Sequence, residues 1–422
     1  MLISLFNSIR SNSFVRHTAI LTSGTMVGQL IAFLAMPLLA RLYTPVQFGL
    51  LGLFLAVTSI SATFITLRYE VLILIPKSQN RAQALTLLSV GLSVTIATIL
   101  MAILHFLPTS LINKLGISDL GAWYEVAFAA SIGSACGTII TSWLNRNNQY
   151  STMASMKMLQ NGLGTFTAIL LGFLGVTSGL LYAQIFSSLF LLTFAFYIIS
   201  RDFDIKRVSR LVAPIAKKYK TAPTFLLPTA LLDTVTLQLP VIFIAAFFTT
   251  EASGQFSMAW RLLALPIALV GAAIAQVFYQ RFSQTWPDAA KARSLLFSTW
   301  KFLFISGLVP TLIIMLFGRQ IFAVLLGNEW VEAGIIASIL APMLFASFIH
   351  STTSIALIVI GKERLGLFFG LAVLIYRPLC LWIGSYYGNL KLGLVLFTIF
   401  EIVQMCVYQY IVSKGIQLKL SA

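Results

Sequence analysis

Residues 21–76 read LTSGTMVGQLIAFLAMPLLARLYTPVQFGLLGLFLAVTSISATFITLRYEVLILIP: two apolar runs of membrane-spanning length, hinged at Arg41-Leu42-Tyr43-Thr44-Pro45. This stretch restricts the fold more than any other. A backbone in hydrocarbon must satisfy its own polar groups, so only helices and closed barrels cross a bilayer. A barrel would show segments of about ten alternating residues. The runs here are continuous and as long as the roughly 20 residues a spanning helix needs. Hydrophobic residues make up 59% of the chain and charged ones 9%, whereas soluble domains carry about 25% charged residues. The sequence therefore predicts an all-α polytopic membrane protein.

Twelve spans are expected, at about 18–40, 48–75, 83–107, 123–144, 153–175, 178–200, 222–247, 254–280, 294–317, 334–360, 365–387 and 391–413. Leu2, Ile3, Leu5, Phe6 and Ile9, followed by Arg10 and Arg16, predict a short interfacial helix ahead of them rather than a cleaved signal.

The net charge of +16 is a matter of topology. With the N-terminus inside, 21 of the 28 Lys and Arg fall in inner segments, four in outer segments and three within spans. Basic residues collect on the cytoplasmic side, which puts both termini there. No nucleic-acid partner is needed to explain the charge. Cys136, Cys380 and Cys406 stand singly in apolar runs and read as packed hydrophobes.

The longest loop, RDFDIKRVSRLVAPIAKKYK (201–220), divides the chain into halves. Its apolar positions Phe203, Ile205, Val208, Leu211, Val212 and Ile215 lie among basic residues. That mixture predicts a linker lying along an anionic inner leaflet. The expected units are an N-lobe (1–200), a cytoplasmic linker (201–221) and a C-lobe (222–422). Sliding the sequence by 205 residues sets Pro45 on Thr250 and Phe48-Gly49 on Ser253-Gly254. Both halves start inside and open with a similar hairpin, as in a parallel repeat. Two six-helix bundles around a central cleft follow.

Charges inside lipid cost about 2.5–3.5 kcal/mol each on insertion scales, so they are functional suspects. Arg68 and Glu70 fall in the inner half of the second span. On a continuous helix they point about 200° apart and need different partners. They serve either as cleft contacts or as anchors at the inner interface. Asp233, Arg261, Arg377 and Glu401 lie on four spans of the second half. They pair with one another or line a polar cleft, where Arg suits phosphate. His350 is either a proton relay or a packed histidine. Gln29, Asn161, Gln184, Gln238, Gln276 and Gln404 contact sugars or bond neighbouring helices. Trp260 stacks on a sugar or sits in an aromatic belt. No catalytic motif, metal-ligand spacing or cofactor-binding motif appears, so an enzyme is not expected.

PLLARLYTPVQFGLLGLF (37–54) and LRYEVLILIPKSQNRAQAL (67–85) resemble the opening of polysaccharide-biosynthesis flippases. These form the Wzx-like O-antigen repeat-unit branch of the multidrug/oligosaccharidyl-lipid/polysaccharide exporter superfamily. SGQFSMAWRLLALPIALVGAAIAQVFYQRFS (253–283) looks like the second-half hairpin of the same family. The resemblance implies movement of an undecaprenyl-diphosphate-linked oligosaccharide to the periplasmic leaflet of a bacterial inner membrane, by alternating access coupled to ions or protons. It implies a lipid-linked glycan and membrane lipid as partners, with a polymerase and a chain-length regulator downstream. In that setting Arg68, Arg261 and Arg377 are expected to bind diphosphate or acidic sugar. Asp233, Glu401 and Glu70 are expected to line the cleft or couple the cycle. A drug/cation antiporter of the same superfamily and a membrane polysaccharide polymerase are the competing readings. The short outer loops weigh against the polymerase, and the basic residues within spans weigh against a cationic cargo.

Overall fold

The structure, a computed structural model, describes residues 26–106, 118–286, 288–361 and 364–421. The expected interfacial segment at 1–16, the start of the first span, Pro108, Lys114 and Lys362 lie outside these residues. The first described helix, α1 (Met26–Leu42), is apolar but short. It stops where Tyr43 turns extended and Thr44 precedes a proline, a position that disfavours helical backbone. The next helix, α2 (Pro45–Ile65), starts at once. The Thr44 N–H donates to Gln47 Oε1 at 2.8 Å and the Gln47 N–H donates back to Thr44 Oγ1 at 3.5 Å. This is a capping box with proline in the first helical position.

Then follow α3 (Gln79–His105), α4 (Trp123–Arg146), α5 (Tyr150–Phe173), α6 (Gly179–Asp202) and α7 (Ile205–Lys218). A π-helical turn (Ala222–Leu226) leads into α8 (Leu227–Phe247). The remaining long helices are α9 (Thr250–Thr285), α10 (Ala289–Leu326), α11 (Val331–Thr353), α12 (Arg364–Tyr386) and α13 (Leu390–Ser421). No strand occurs among the described residues.

Ten helices among the described residues are long and apolar enough to cross a membrane, the seventh expected span being Ala222–Phe247 with its π-turn. Two of the twelve expected spans are not in that set. One is α1, whose described part is short. The other is α5, which is long enough but carries Lys157, Gln160 and Asn161. The second expected span is also corrected. Its helix ends at Ile65, not 75, and the chain continues as a 3-10 helix over Tyr69–Leu74. The tenth ends at Thr353, with a separate turn at Ala356–Val359 before the chain moves on.

Contacts divide the chain into two units. One comprises Met1–Tyr43 and Leu50–Gln238, the other Thr44–Gly49 and Leu239–Ala422. Helices α2 and α8 therefore each contribute to both.

In the first unit, a core gathers one end of α3, α4 and α6 around the 3-10 helix. Ile73, Leu85, Ile139, Ile140, Trp143 and Ile198 are among its fully buried members. Gly133 lets α4 approach α6 closely, because a Cβ there would lie 2.2 Å from the Ser188 carbonyl oxygen. Small residues do this at many helix contacts in membranes. The linker helix α7 docks on the same core. Val208 and Ile215 are buried in it, and Leu211, Val212 and Ala216 pack at its edge. Phe203 is buried there too, its ring 4.5 Å from that of Trp143. The apolar positions expected to face the leaflet thus face protein, although Ile205 stays exposed.

In the second unit, Thr249 caps α9 by accepting from the Ala252 N–H at 3.0 Å. Thr249 is the residue on which Thr44 falls in the 205-residue frame. The first turns of α2 and α9 pack backbone to backbone through Gly49 and Gly254. Phe48 meets Trp330 edge to face at 5.2 Å, and both are buried. Gln255 ties this region to α11, donating to the Glu329 carbonyl at 2.7 Å and accepting from the Ala333 N–H at 2.9 Å.

Candidate functional site

The site begins where α2 fails to continue. Thr66 Oγ1 donates to the Thr63 carbonyl at 3.2 Å and accepts the Arg68 N–H at 3.3 Å. Leu67 and Arg68 then adopt left-handed backbone, with φ of 48° and 61°. Neither is glycine or asparagine. Such residues cost on the order of 1–3 kcal/mol each and persist only when their surroundings hold them. Tyr69, Leu72 and Ile73 supply that hold by burial in the core of the first unit.

A second hold comes from Arg146, the last residue of α4. Its Nη1 donates to the carbonyls of Ile73 (3.0 Å) and Leu74 (3.3 Å), and its Nη2 to that of Pro76 (2.5 Å). Nε reaches Gln79 Oε1 at 3.5 Å, and Gln79 bonds Asn147 at 3.0 Å. One guanidinium thus satisfies three carbonyls at the end of the 3-10 helix. The basic-residue pattern had marked Arg146 for topology only. Its place at the C-terminus of a span, where cations meet free carbonyls, was the available signal.

The left-handed turn overturns one expectation. Arg68 and Glu70 do not point apart; they pair, Nη1 to Oε1, at 3.1 Å. The 200° separation assumed a continuous helix, and the two positive φ angles remove it. Glu70 is only 1% exposed, while the Arg68 side chain is 31% exposed. Arg68 Nε and Glu70 Oε2 have no hydrogen-bond partner among the described residues. Most buried polar atoms are satisfied, so two open ones in a single ion pair mark an incomplete site.

The pair lies at the edge of a cavity of about 280 Å³ within the first unit. Thr58, Ser59, Thr63 and Thr66 of α2, Ser134 and Thr138 of α4 and Gln184 of α6 supply its polar lining. Thr58 donates to the Ala127 carbonyl, Ser59 to Ala56, Thr63 to Ser59 and Thr138 to Ser134, at 3.0–3.3 Å. With their protons so committed, these hydroxyls offer lone pairs to the cavity. Gln238 donates to Ser59 Oγ at 2.9 Å, and Thr63 meets Thr234 at 3.2 Å. The arrangement combines a cation with a ring of acceptors, which suits a ligand bearing hydroxyl donors and an anionic group.

The other expected charges fare differently. Arg377 of α12 and Glu401 of α13 are brought together, Nε to Oε1 at 2.5 Å, with side chains 12% and 3% exposed. The Arg377 guanidinium also lies 5.5 Å from the Phe397 ring centroid. Beside it Tyr376 donates to Gln404 Oε1 at 2.5 Å. Arg261 is half-buried on α9 and Asp233 is exposed on α8; neither makes an ion pair among the described residues. His350 is packed edge to face on Tyr408 at 4.5 Å and lies 3.4 Å from Gln409 Nε2. Trp260 stacks on Phe256. Cys136 and Cys380 are buried as expected, but Cys406 is exposed.

The fold and the polar cavity define a multi-pass α-helical membrane protein with a polar pocket among its helices. The chain belongs to the polysaccharide biosynthesis protein family, whose pattern matches residues 38–337. It is similar to the succinoglycan biosynthesis transport protein ExoT of Rhizobium meliloti (strain 1021), 23% identical over 323 residues. That match covers 73% of this chain and 62% of ExoT, so the chain spans less than two thirds of that relative's length. Among solved structures it resembles the lipid II flippase MurJ in an inward closed conformation. The TM-score is 0.72 at 14% identity, over 94% of this chain and 89% of that one. An inward-facing multidrug resistance MATE transporter of the MOP superfamily gives a TM-score of 0.56 at 20% identity, over 95% of each chain. These likenesses place the fold in the transporter class. With the family match, they join a transporter-like fold to a family named for polysaccharide biosynthesis.

Proposed function

We propose that the protein moves an undecaprenyl-diphosphate-linked oligosaccharide from the cytoplasmic to the periplasmic leaflet of a bacterial inner membrane. The observation that supports this reading best is the cavity at the Arg68–Glu70 turn, with its hydroxyl lining and its open guanidinium donor. Sugar hydroxyls find acceptors there, and a diphosphate or acidic sugar finds a cation that offers directed hydrogen bonds. Arg68 is the principal anion contact, with Arg261 as a second cationic position along the path.

Glu70 holds Arg68 while cargo is absent. When an anionic group draws Arg68 away, Glu70 is left buried with its charge uncompensated. It then takes up a proton or a small cation, because an unpaired buried carboxylate is costly. That exchange couples cargo to an ion. Arg377 and Glu401 hold the second lobe together, and Asp233 lines the path. The N-lobe (1–200) and C-lobe (222–422) alternate in exposing the path, joined by the linker at 201–221, with both termini cytoplasmic. A polymerase and a chain-length regulator consume the product.

The test is deletion of the gene and complementation with wild type or Arg68→Gln, followed by extraction of lipid-linked repeat units and assay of the leaflet they occupy. The expected result is intact units confined to the cytoplasmic leaflet in both the deletion and the Arg68→Gln strain. Units that already face the periplasm would point to the polymerase. An unchanged surface polymer with altered drug sensitivity would point to the antiporter.

A further inference from the structure

Helix α7 carries a cationic face that no acid among the described residues pairs with. Lys206, Arg207, Arg210, Lys217 and Lys218, with Lys220 just beyond, are all exposed. None makes an ion pair with the described residues; Lys218 lies 5.5 Å from the Tyr219 ring and forms no closer charged contact. The nearby acids are already engaged. Asp204 caps the helix, accepting the Arg207 N–H at 3.3 Å. Asp202 is held by Arg201 at 2.7 Å and by the Trp143 indole at 3.3 Å.

The opposite face is occupied. Positions 208, 211, 212, 215 and 216 form one apolar stripe, and that stripe is spent on the core of the first unit. Ile205 is its one large apolar side chain left exposed, so the helix meets its surroundings mainly by charge. Its position follows from connectivity. Only Phe203 and Asp204 separate it from α6, and only Tyr219, Lys220 and Thr221 separate it from the π-turn that opens the next spanning segment. A helix tethered so closely between two spans lies at the level of the phospholipid headgroups.

The same helix touches the candidate site. Tyr69 follows Arg68 in the left-handed turn, and its hydroxyl donates to the Ala216 carbonyl at 3.3 Å. Tyr69 is 5% exposed. A shift of α7 is thus felt one residue away from each member of the Arg68–Glu70 pair.

We propose that the basic face of α7 is a binding surface for anionic phospholipid headgroups, and that Tyr69 transmits its occupancy to the Arg68–Glu70 turn. The proposal rests on charge, on the filled apolar stripe and on the Tyr69–Ala216 bond, and it holds whatever the cargo is. Anionic lipid docks the helix at the surface, and the docked helix steadies the strained turn.

The test uses the full chain in phosphatidylcholine nanodiscs with and without phosphatidylglycerol. Two quantities are read: the lipid retained on the purified protein, by native mass spectrometry, and hydrogen exchange over residues 66–76. Wild type should retain phosphatidylglycerol in preference to phosphatidylcholine, and the preference should fade as salt rises, since exposed charges are screened. Replacing Lys206, Arg207, Arg210, Lys217, Lys218 and Lys220 by Gln should cut the preference by about tenfold or more. Exchange over 66–76 should slow when phosphatidylglycerol is present, and the slowing should vanish in the six-fold variant. Tyr69→Phe should keep the lipid preference but lose the slowing. Equal retention of the two lipids by wild type, or a preference indifferent to salt, overturns the binding surface. Slowing that persists in Tyr69→Phe overturns the transmission. Both wild-type measurements stand even if the six-fold variant does not fold.

Discussion

Gly49 and Gly254 lie against each other's helices in a reciprocal contact. A Cβ on Gly49 would fall 1.9 Å from the Thr250 carbonyl oxygen, and one on Gly254 would fall 1.8 Å from the Pro45 carbonyl oxygen. Each pair, Gly49 with Gly254 and Pro45 with Thr250, is separated by 205 residues. In both directions the glycine of one first turn meets the carbonyl four residues before the glycine of the other.

Alanine at either glycine therefore forces backbone from backbone. Gly49→Ala and Gly254→Ala should each destabilise the protein by about 1–3 kcal/mol, the range for overpacking a tight contact. The double variant should cost less than the sum, because the first substitution has already opened the crossing. Thermal unfolding in detergent, followed for all three variants, measures this. Wild-type stability in either single variant would show that the helices part without strain.

Arg146→Lys keeps the charge but loses the fork that reaches three carbonyls. Carbonyls that lose a donor without gaining water should cost the protein about 1–3 kcal/mol in all. The loss should appear locally, as faster hydrogen exchange over residues 69–76. Gln79→Ala, which removes only the outer partner, should have a much smaller effect.

Breaking the buried pair in the second unit should be costly. Arg377→Met or Glu401→Gln alone should destabilise by about 3–5 kcal/mol, because each leaves the partner's charge without its counter-ion away from water. Arg377→Met with Glu401→Leu should recover much of the loss. A double-variant cycle on unfolding temperature reads the coupling. Export should follow stability in this series if the pair holds the lobe and does not touch cargo.

Arg68→Gln should behave in the opposite way. The side chain is partly exposed and its Nε is open, so the fold should survive with a small change in stability while export of the lipid-linked unit is lost. Arg68→Lys should restore export only partly, since an ammonium lacks the planar fork. Quantifying protein level and surface polymer in the same strains separates the two effects.

Much of the architecture is written in the residues. Apolar run length gives most of the spans, but it starts the second at 48, whereas the Thr44–Gln47 capping bonds start that helix at Pro45. The period of 208, 211, 212, 215 and 216 marks an amphipathic helix within the linker. What that helix packs against is not in its own sequence, because an apolar stripe fits a bilayer and a protein core equally well. The Arg68–Glu70 contact was hidden for a different reason. Left-handed backbone is usually announced by glycine or asparagine, and here Leu67 and Arg68 adopt it under pressure from tertiary packing. Asp233, Arg261, Arg377 and Glu401 share one bundle in the linear reading, and only Arg377 and Glu401 meet. Depth in a span says how far along a helix a charge lies, not which way it faces.

The six residues Thr44–Gly49 belong with a unit whose other members are made long after them. During synthesis they leave the ribosome early, while Thr250 and Gly254 follow some 205 residues behind and Trp330 later still. Until then Phe48 lacks the ring it rests on and Gly49 faces no backbone. Such distant closure is slow compared with local helix formation. The first hairpin must therefore wait, inserted but unfinished, for the second half to arrive. A fragment ending near residue 200 would leave it permanently in that state, and a fragment starting near 222 would lack the strip that completes its own core.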